Sequence, residues 1–164
     1  MELIEKITSY NIFTNLLPGA VFAYCADRYF GTGFASDDLL IAIFVYYFLG
    51  VVTNRIGSLI VEPVLIKIGL LKQGVYKEYL IASKLDQKIE VLLESRNMYR
   101  TFAAMFLLLL VVGAYTTFKR HFPALNAFRG AIVAVVLGTL FIAAYVKQSA
   151  YISRRIKDRD IEDE

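Results

Sequence analysis

Apolar positions in this chain are grouped into long runs, and four of these runs contain no Asp, Glu, Lys or Arg. A helix needs roughly 20 predominantly apolar residues to cross the hydrocarbon core of a bilayer. With flanking residues included, the runs predict four transmembrane helices at about 9–29, 37–56, 101–118 and 129–147. The predicted fold is an all-α polytopic membrane protein, built as a single membrane domain over residues 1–164.

The residues between the second and third spans show a different pattern. Residues 56–71 are apolar nearly all round, so this segment should be buried against the bundle or lie in the interface. Residues 72–100 place apolar side chains at helical spacing among charges of both signs, which predicts a cytoplasmic amphipathic helix. Residues 148–164 form a charged cytoplasmic tail.

The composition indicates the class of protein, and the distribution of charges predicts its orientation in the membrane. Hydrophobic residues make up 57% of the chain, more than a soluble domain of 164 residues can bury. Of the 18 Lys and Arg residues, fourteen fall in the N-terminus, in 55–100 or after Val146. The positive-inside rule therefore predicts a multi-pass membrane protein with both termini cytoplasmic.

A cleavable signal peptide is the alternative interpretation of the first span. Small residues at Ala23 and Ala26 resemble a cleavage site. The acidic start MELIEK and the Pro18-Gly19 interruption argue against it, because a signal peptide has a basic start and an unbroken apolar core.

Polar residues within the first span have two interpretations. Pro18 removes a backbone donor and crowds the carbonyl of Thr14, which predicts a kink there. Asn15 should hydrogen-bond across to a neighbouring helix. The alternative is a helix opened around an ion or substrate, as in transporters.

The stretch NRIGSLIVEP follows the second span. Asn54 and Arg55 should mark the cytoplasmic end of that span, where an arginine reaches the headgroups. Arg55, Ser58 and Glu62 share one helical face, so an Arg55–Glu62 ion pair is geometrically possible. Pro63 disfavours helix at Glu62 and should turn the chain, which makes the stretch a structural clamp or a coupling element.

Small residues repeat every fourth position in the last span, at Gly130, Ala134 and Gly138. This spacing lets helices approach closely in lipid, within one copy or between copies. We expect homo-oligomerisation, because four short helices bury little surface by themselves.

Catalytic chemistry finds no support in the sequence. Cys25 and His121 are the only residues of their types, and no nucleotide-binding, zinc or nucleophile motif is present. We therefore expect a non-enzymatic protein without cofactor, metal or nucleic acid, whose partners are the lipid bilayer and a soluble cytoplasmic protein.

With NLLPG in the first span and RIGSLIVEP after the second, the chain resembles small bacterial four-span membrane proteins. In size and layout it is similar to membrane proteins of anti-phage operons, such as Kiwa-type subunits and CBASS-type effectors. The resemblance implies a membrane component of a defence system, either a membrane-disrupting effector or an anchor or sensor for a soluble partner. The alternatives are a small channel or transporter subunit and a structural assembly protein.

Overall fold

A computed structural model describes residues 12–72, 86, 88–121 and 128–160 of the chain. Every regular element in these ranges is helical. In chain order they are a π-helical turn (Ile12–Leu16), α1 (Leu17–Phe30), α2 (Leu39–Ile56), a second π-helical turn (Gly57–Val61), α3 (Glu62–Lys67), α4 (Lys88–His121) and α5 (Arg129–Asp160).

Three helical segments of the described residues are long and apolar enough to cross a membrane. They are Leu39–Lys67, Val91–Lys119 and Arg129–Ser153. The chain is therefore a helical membrane protein, as predicted. The expected first span is not among the three: its described part is a π-helical turn and the 14-residue α1, and residues 9–11 lie outside the described ranges. The first of the four predicted spans, at 9–29, stays a prediction.

Each π-helical turn ends two residues before a proline. The turn Ile12–Leu16 precedes Pro18, and the turn Gly57–Val61 precedes Pro63. Proline cannot donate to the carbonyl four residues back, and its ring clashes with that carbonyl. A turn bonded over five residues, such as the bond from the Glu62 N–H to the Gly57 carbonyl, widens the helix and relieves this conflict.

The predicted turn of the chain at Pro63 is therefore wrong. The helix runs without interruption from Leu39 to Lys67, and Glu62 has ordinary helical angles of φ −61° and ψ −48°. Pro63 lies in the first turn of α3, where a missing N–H is tolerated because the second π-helical turn supplies the adjustment. The helix ends instead at Lys67, and in the turn that follows Gly69 has a φ of 80°, in the left-handed region that glycine favours.

The start of α2 also differs slightly from expectation. Asp38 is the N-cap, and its carboxylate accepts from the backbone N–H of Leu40 at 2.8 Å and of Ile41 at 3.2 Å. Ser36 precedes this cap, and its hydroxyl oxygen accepts from the N–H of Asp38 at 3.2 Å. The α-helix thus begins three residues after Ser36, at Leu39.

Two compact units divide the chain, residues 1–122 and 123–164. In the first unit α1, α2 and α4 pack against one another. Phe22, Ala26 and Met105 form their buried core, and partly buried side chains from the three helices and the loop after α1 surround it. Residues 73–85 and 87 of the predicted cytoplasmic helix lie outside the description, and its last part belongs to the unbroken α4.

The crossing of α1 and α2 depends on two glycines. A Cβ on Gly19 would overlap the carbonyl oxygen of Tyr46 and lie 2.7 Å from the Gly50 nitrogen. A Cβ on Gly50 would overlap the carbonyl oxygen of Asn15. The backbones of the two antiparallel helices are therefore in direct contact.

The loop between α1 and α2 is closed by one carboxylate. Asp27 accepts from the backbone N–H groups of Gly33, Phe34 and Ala35 and from the Thr32 hydroxyl, at 2.5 to 3.1 Å. Gly31 and Gly33 have positive φ, which lets successive N–H groups converge on one anion.

The second unit contains α5, a helix of 32 residues. Gly130, Ala134 and Gly138 are exposed on it, and a Cβ on either glycine would meet no atom of the described residues within 4 Å. Their predicted role in helix packing stays a prediction.

Candidate functional site

Five polar side chains meet where the first π-helical turn, the end of α2, the start of α3 and the first half of α4 come together. We call Asn15, Asn54, Glu62, Arg96 and Arg100 the polar cluster. Its inner end is amide to amide: Asn54 Nδ2 donates to Asn15 Oδ1 at 3.0 Å, and Asn15 is 6% exposed. The sequence singled out both asparagines, and the structure brings them together.

Arg100 continues the cluster from α4. Its Nη2 donates to Asn54 Oδ1 at 3.2 Å, and its Nη1 donates to Glu62 Oε2 at 2.6 Å. The side chains of Arg100 and Glu62 are only 17% and 18% exposed. A largely buried guanidinium is costly without an anion, so this ion pair is a condition for α4 to pack here.

Arg96 lies one turn earlier on α4 and binds the other carboxylate oxygen. Its Nη2 is 2.5 Å from Glu62 Oε1, and its side chain is 48% exposed. Glu62 therefore faces two arginines spaced four residues apart on one helical face. With one carboxylate and two guanidinium groups, the cluster carries a formal charge of +1.

The Arg55–Glu62 ion pair that the sequence suggested is not formed. Arg55 is exposed, and within the described residues Glu62 pairs with Arg96 and Arg100 instead. The second π-helical turn explains the difference. It accommodates one residue more than an α-helical turn, which rotates Glu62 by about 100° away from the face of Arg55. Ser58 lies inside this turn and is half-buried.

Gly57, the first residue of that turn, allows Arg100 to approach. A Cβ there would lie 3.2 Å from Arg100 Cγ and 3.3 Å from the Arg100 carbonyl oxygen. Such contacts are tighter than side chains normally make, so a larger residue would push α4 away. Glycine at this position thus keeps Arg100 within reach of both Asn54 and Glu62.

The cluster lies at the edge of two charge-free runs. Asn54 ends the run that began at Leu39, and Arg100 directly precedes the run 101–118. The hydrogen bond between Asn54 and Arg100 therefore sets the two runs at the same level. At the other end of α4, Gly113 lies against the ring of Phe30, so α4 runs parallel to α1 and antiparallel to α2.

Sequence reasoning missed three members of this site, namely Gly57, Arg96 and Arg100. A signal for the arginines was present, because Arg100 is the last charge before a long apolar run and Arg96 lies one helical turn before it. The pairing of these arginines with Glu62 could not be predicted from the sequence, since it depends on the rotation of Glu62 around the helix axis that the second π-helical turn produces.

The cluster links its helices through hydrogen bonds and ion pairs, and its two guanidinium groups are of a kind that can bind a further anion. Arginine side chains bind carboxylate or phosphate through several parallel donors. No group of three His, Cys, Asp or Glu side chains that could hold a metal occurs among the described residues.

The fold and the site together define a helical integral membrane protein with a charged polar cluster joining three of its helices. Comparisons with protein-family models, with curated proteins and with solved structures give no match.

Proposed function

We propose that this protein is a membrane anchor that couples a cytoplasmic segment to a helix bundle in the bacterial inner membrane. In this proposal the chain crosses the membrane four times, with both termini and residues 55–100 in the cytoplasm. The proposed physiological setting is an anti-phage defence system, in which the protein serves as the effector or as the anchor or sensor for a soluble protein.

One observation carries the coupling role: a single carboxylate, Glu62, joins two helices on the side where both extend beyond the charge-free runs. Leu39–Lys67 has 29 residues, or about 43 Å, while the hydrocarbon core is about 30 Å thick. α4 has 34 residues, or about 51 Å. A force applied to the segment that leads into α4 would reach the bundle through Arg96, Arg100 and Glu62.

The defence setting is supported by the resemblance in size and layout. It is tested by expressing the gene with its neighbouring genes in a sensitive host and measuring phage plaque formation. We expect protection by the wild type and its loss in Glu62→Ala and Arg100→Ala.

The matched control for Glu62→Ala is Glu94→Ala, which removes the same charge from α4, at a position that makes no contact within the polar cluster. It should protect like the wild type, and immunoblots of membranes should show equal amounts of all variants. Full protection by Glu62→Ala at equal abundance would remove the cluster from the mechanism. A lack of protection by the wild type would overturn the defence setting.

An anchor and a channel would give different results in two experiments. Flux measurements in proteoliposomes should show no conductance for an anchor. A pull-down from cells should retain a soluble partner that is lost when Lys77–Arg96 is deleted. A steady, ion-selective flux would favour the channel alternative.

A further inference from the structure

The polar cluster has an unbalanced positive charge on its exposed side. Arg96 and Arg100 share the one carboxylate of Glu62, and the more exposed guanidinium is that of Arg96. Within the described residues Glu62 is the only hydrogen-bonding partner of Arg96, which uses one of its five N–H donors for it. The outer face of Arg96 therefore presents donors and charge that the described residues do not use.

The inner arginine is also incompletely paired. Arg100 Nε is buried and has no hydrogen-bond acceptor among the described residues. An unsatisfied donor on a charged group costs free energy. An anion bound at the cluster would lower that cost, because its negative charge stabilises the buried guanidinium electrostatically. Both arginines thus favour an additional anion.

The position of the cluster indicates which anion is available. Because Asn54 and Arg100 border the charge-free runs of α2 and α4, Arg96 lies just beyond the apolar core, at the depth of the lipid headgroups. The anion concentrated at that depth is the phosphate of phospholipids. Bacterial inner membranes contain anionic phospholipids, whose surface potential adds attraction for basic side chains.

We propose that Arg96, held by Glu62 beside Arg100, binds the phosphate of an anionic phospholipid. Arg96 donates through the N–H groups that face away from Glu62, and Arg100 contributes charge from behind. Glu62 orients Arg96 while limiting its affinity, because its carboxylate competes for the same guanidinium. This binding site requires only that the helices lie in a membrane, so it stands independently of the defence setting.

The test measures lipid binding by the full-length protein in a neutral detergent. Phosphatidylglycerol is titrated against phosphatidylcholine, and bound lipid is counted by native mass spectrometry alongside the midpoint of thermal unfolding. The wild type should retain phosphatidylglycerol selectively. Arg96→Gln should bind it about fivefold more weakly, as expected for losing one charge-assisted contact.

Two variants make the result specific to this site. Arg129→Gln removes the same charge from the start of α5 and should bind lipid like the wild type. Glu62→Gln raises the charge of the cluster from +1 to +2, so it should bind phosphatidylglycerol more tightly even if its unfolding midpoint without lipid falls. A purely structural role of Glu62 predicts no such gain.

Three outcomes would overturn the proposal. The first is equal retention of the two lipids by the wild type, and the second is equal loss of binding in Arg96→Gln and Arg129→Gln. The third distinguishes the source of the phosphate: if inorganic phosphate raises the unfolding midpoint as much as phosphatidylglycerol does, the cluster binds a free anion rather than a lipid.

Discussion

At the scale of single residues, Glu62 is the centre of the polar cluster, because its carboxylate binds both arginines. Its carboxylate neutralises a largely buried Arg100 and orients a half-exposed Arg96. Removing one partner of a buried pair leaves the other charge uncompensated, and this costs far more than the pair contributes when intact. The same change at an exposed pair costs little, because water replaces the lost partner.

These differences predict an order of destabilisation. Glu62→Ala should lower the free energy of unfolding by roughly 2–4 kcal/mol, because it strands the guanidinium of Arg100. Arg96→Ala should cost about 1 kcal/mol or less. Reversible unfolding in mixed micelles would measure both, and an equal cost for the two variants would contradict the burial of Arg100.

Arg100→Ala supplies the complementary measurement. It leaves Glu62 with Arg96, which is more exposed, so the cost should fall between those of Glu62→Ala and Arg96→Ala. In a double-mutant cycle, Glu62→Ala with Arg100→Ala should cost less than the sum of the single variants, because the two residues share one interaction. Additive costs would show that the pair does not couple α3 to α4.

At the scale of elements, the two π-helical turns and the glycine crossing determine how the helices meet. The all-helical class of the fold and the approximate positions of the long helices could be predicted, because they follow from the apolar runs and the placement of charges along the chain. The π-helical turns could not, since a proline in an apolar run is equally compatible with a kink, a helix start or a chain turn. The wrong partner for Glu62 followed directly from that ambiguity.

The crossing of α1 and α2 yields a prediction with an internal control. Gly19→Ala should destabilise the protein by roughly 1–3 kcal/mol, because its methyl group would force α1 away from the backbone of α2. Gly138→Ala adds the same methyl group to α5, where no described atom lies within 4 Å, and should be neutral or slightly stabilising.

The readouts are the unfolding midpoint and the abundance of each variant in membranes. Because a Cβ on Gly50 would overlap the carbonyl oxygen of Asn15, Gly50→Ala should behave like Gly19→Ala. Destabilisation of equal size by Gly138→Ala would indicate that α5 also packs closely, either within one copy or between copies.

At the scale of the whole molecule, the number of membrane crossings depends on the first predicted span. The described residues contain three helices of sufficient length, whereas the sequence predicts four spans. The difference lies in the first span, whose beginning falls before Ile12. Whether this first span crosses the membrane therefore determines on which side the residues before it lie.

Cysteine labelling tests this topology, starting from a Cys25→Ala background. Single cysteines at Ser36 and Lys72 should be labelled from opposite sides of the membrane. A cysteine at Ser9 should react from the same side as Lys72 if there are four spans. Reaction from the side of Ser36 would mean that only three helices cross.

The direct backbone contact between α1 and α2 has a consequence for biogenesis. During synthesis α1 and the π-helical turn before it leave the ribosome before α2. Asn15 and Pro18 make this first segment less favourable in lipid, and the more apolar α2 follows after the short loop closed by Asp27. The glycine contact and the Asn15–Asn54 hydrogen bond form only once α2 has left the ribosome. We therefore expect α1 to enter the bilayer as half of a hairpin, so that a weakened α2 would leave α1 uninserted and open to proteolysis.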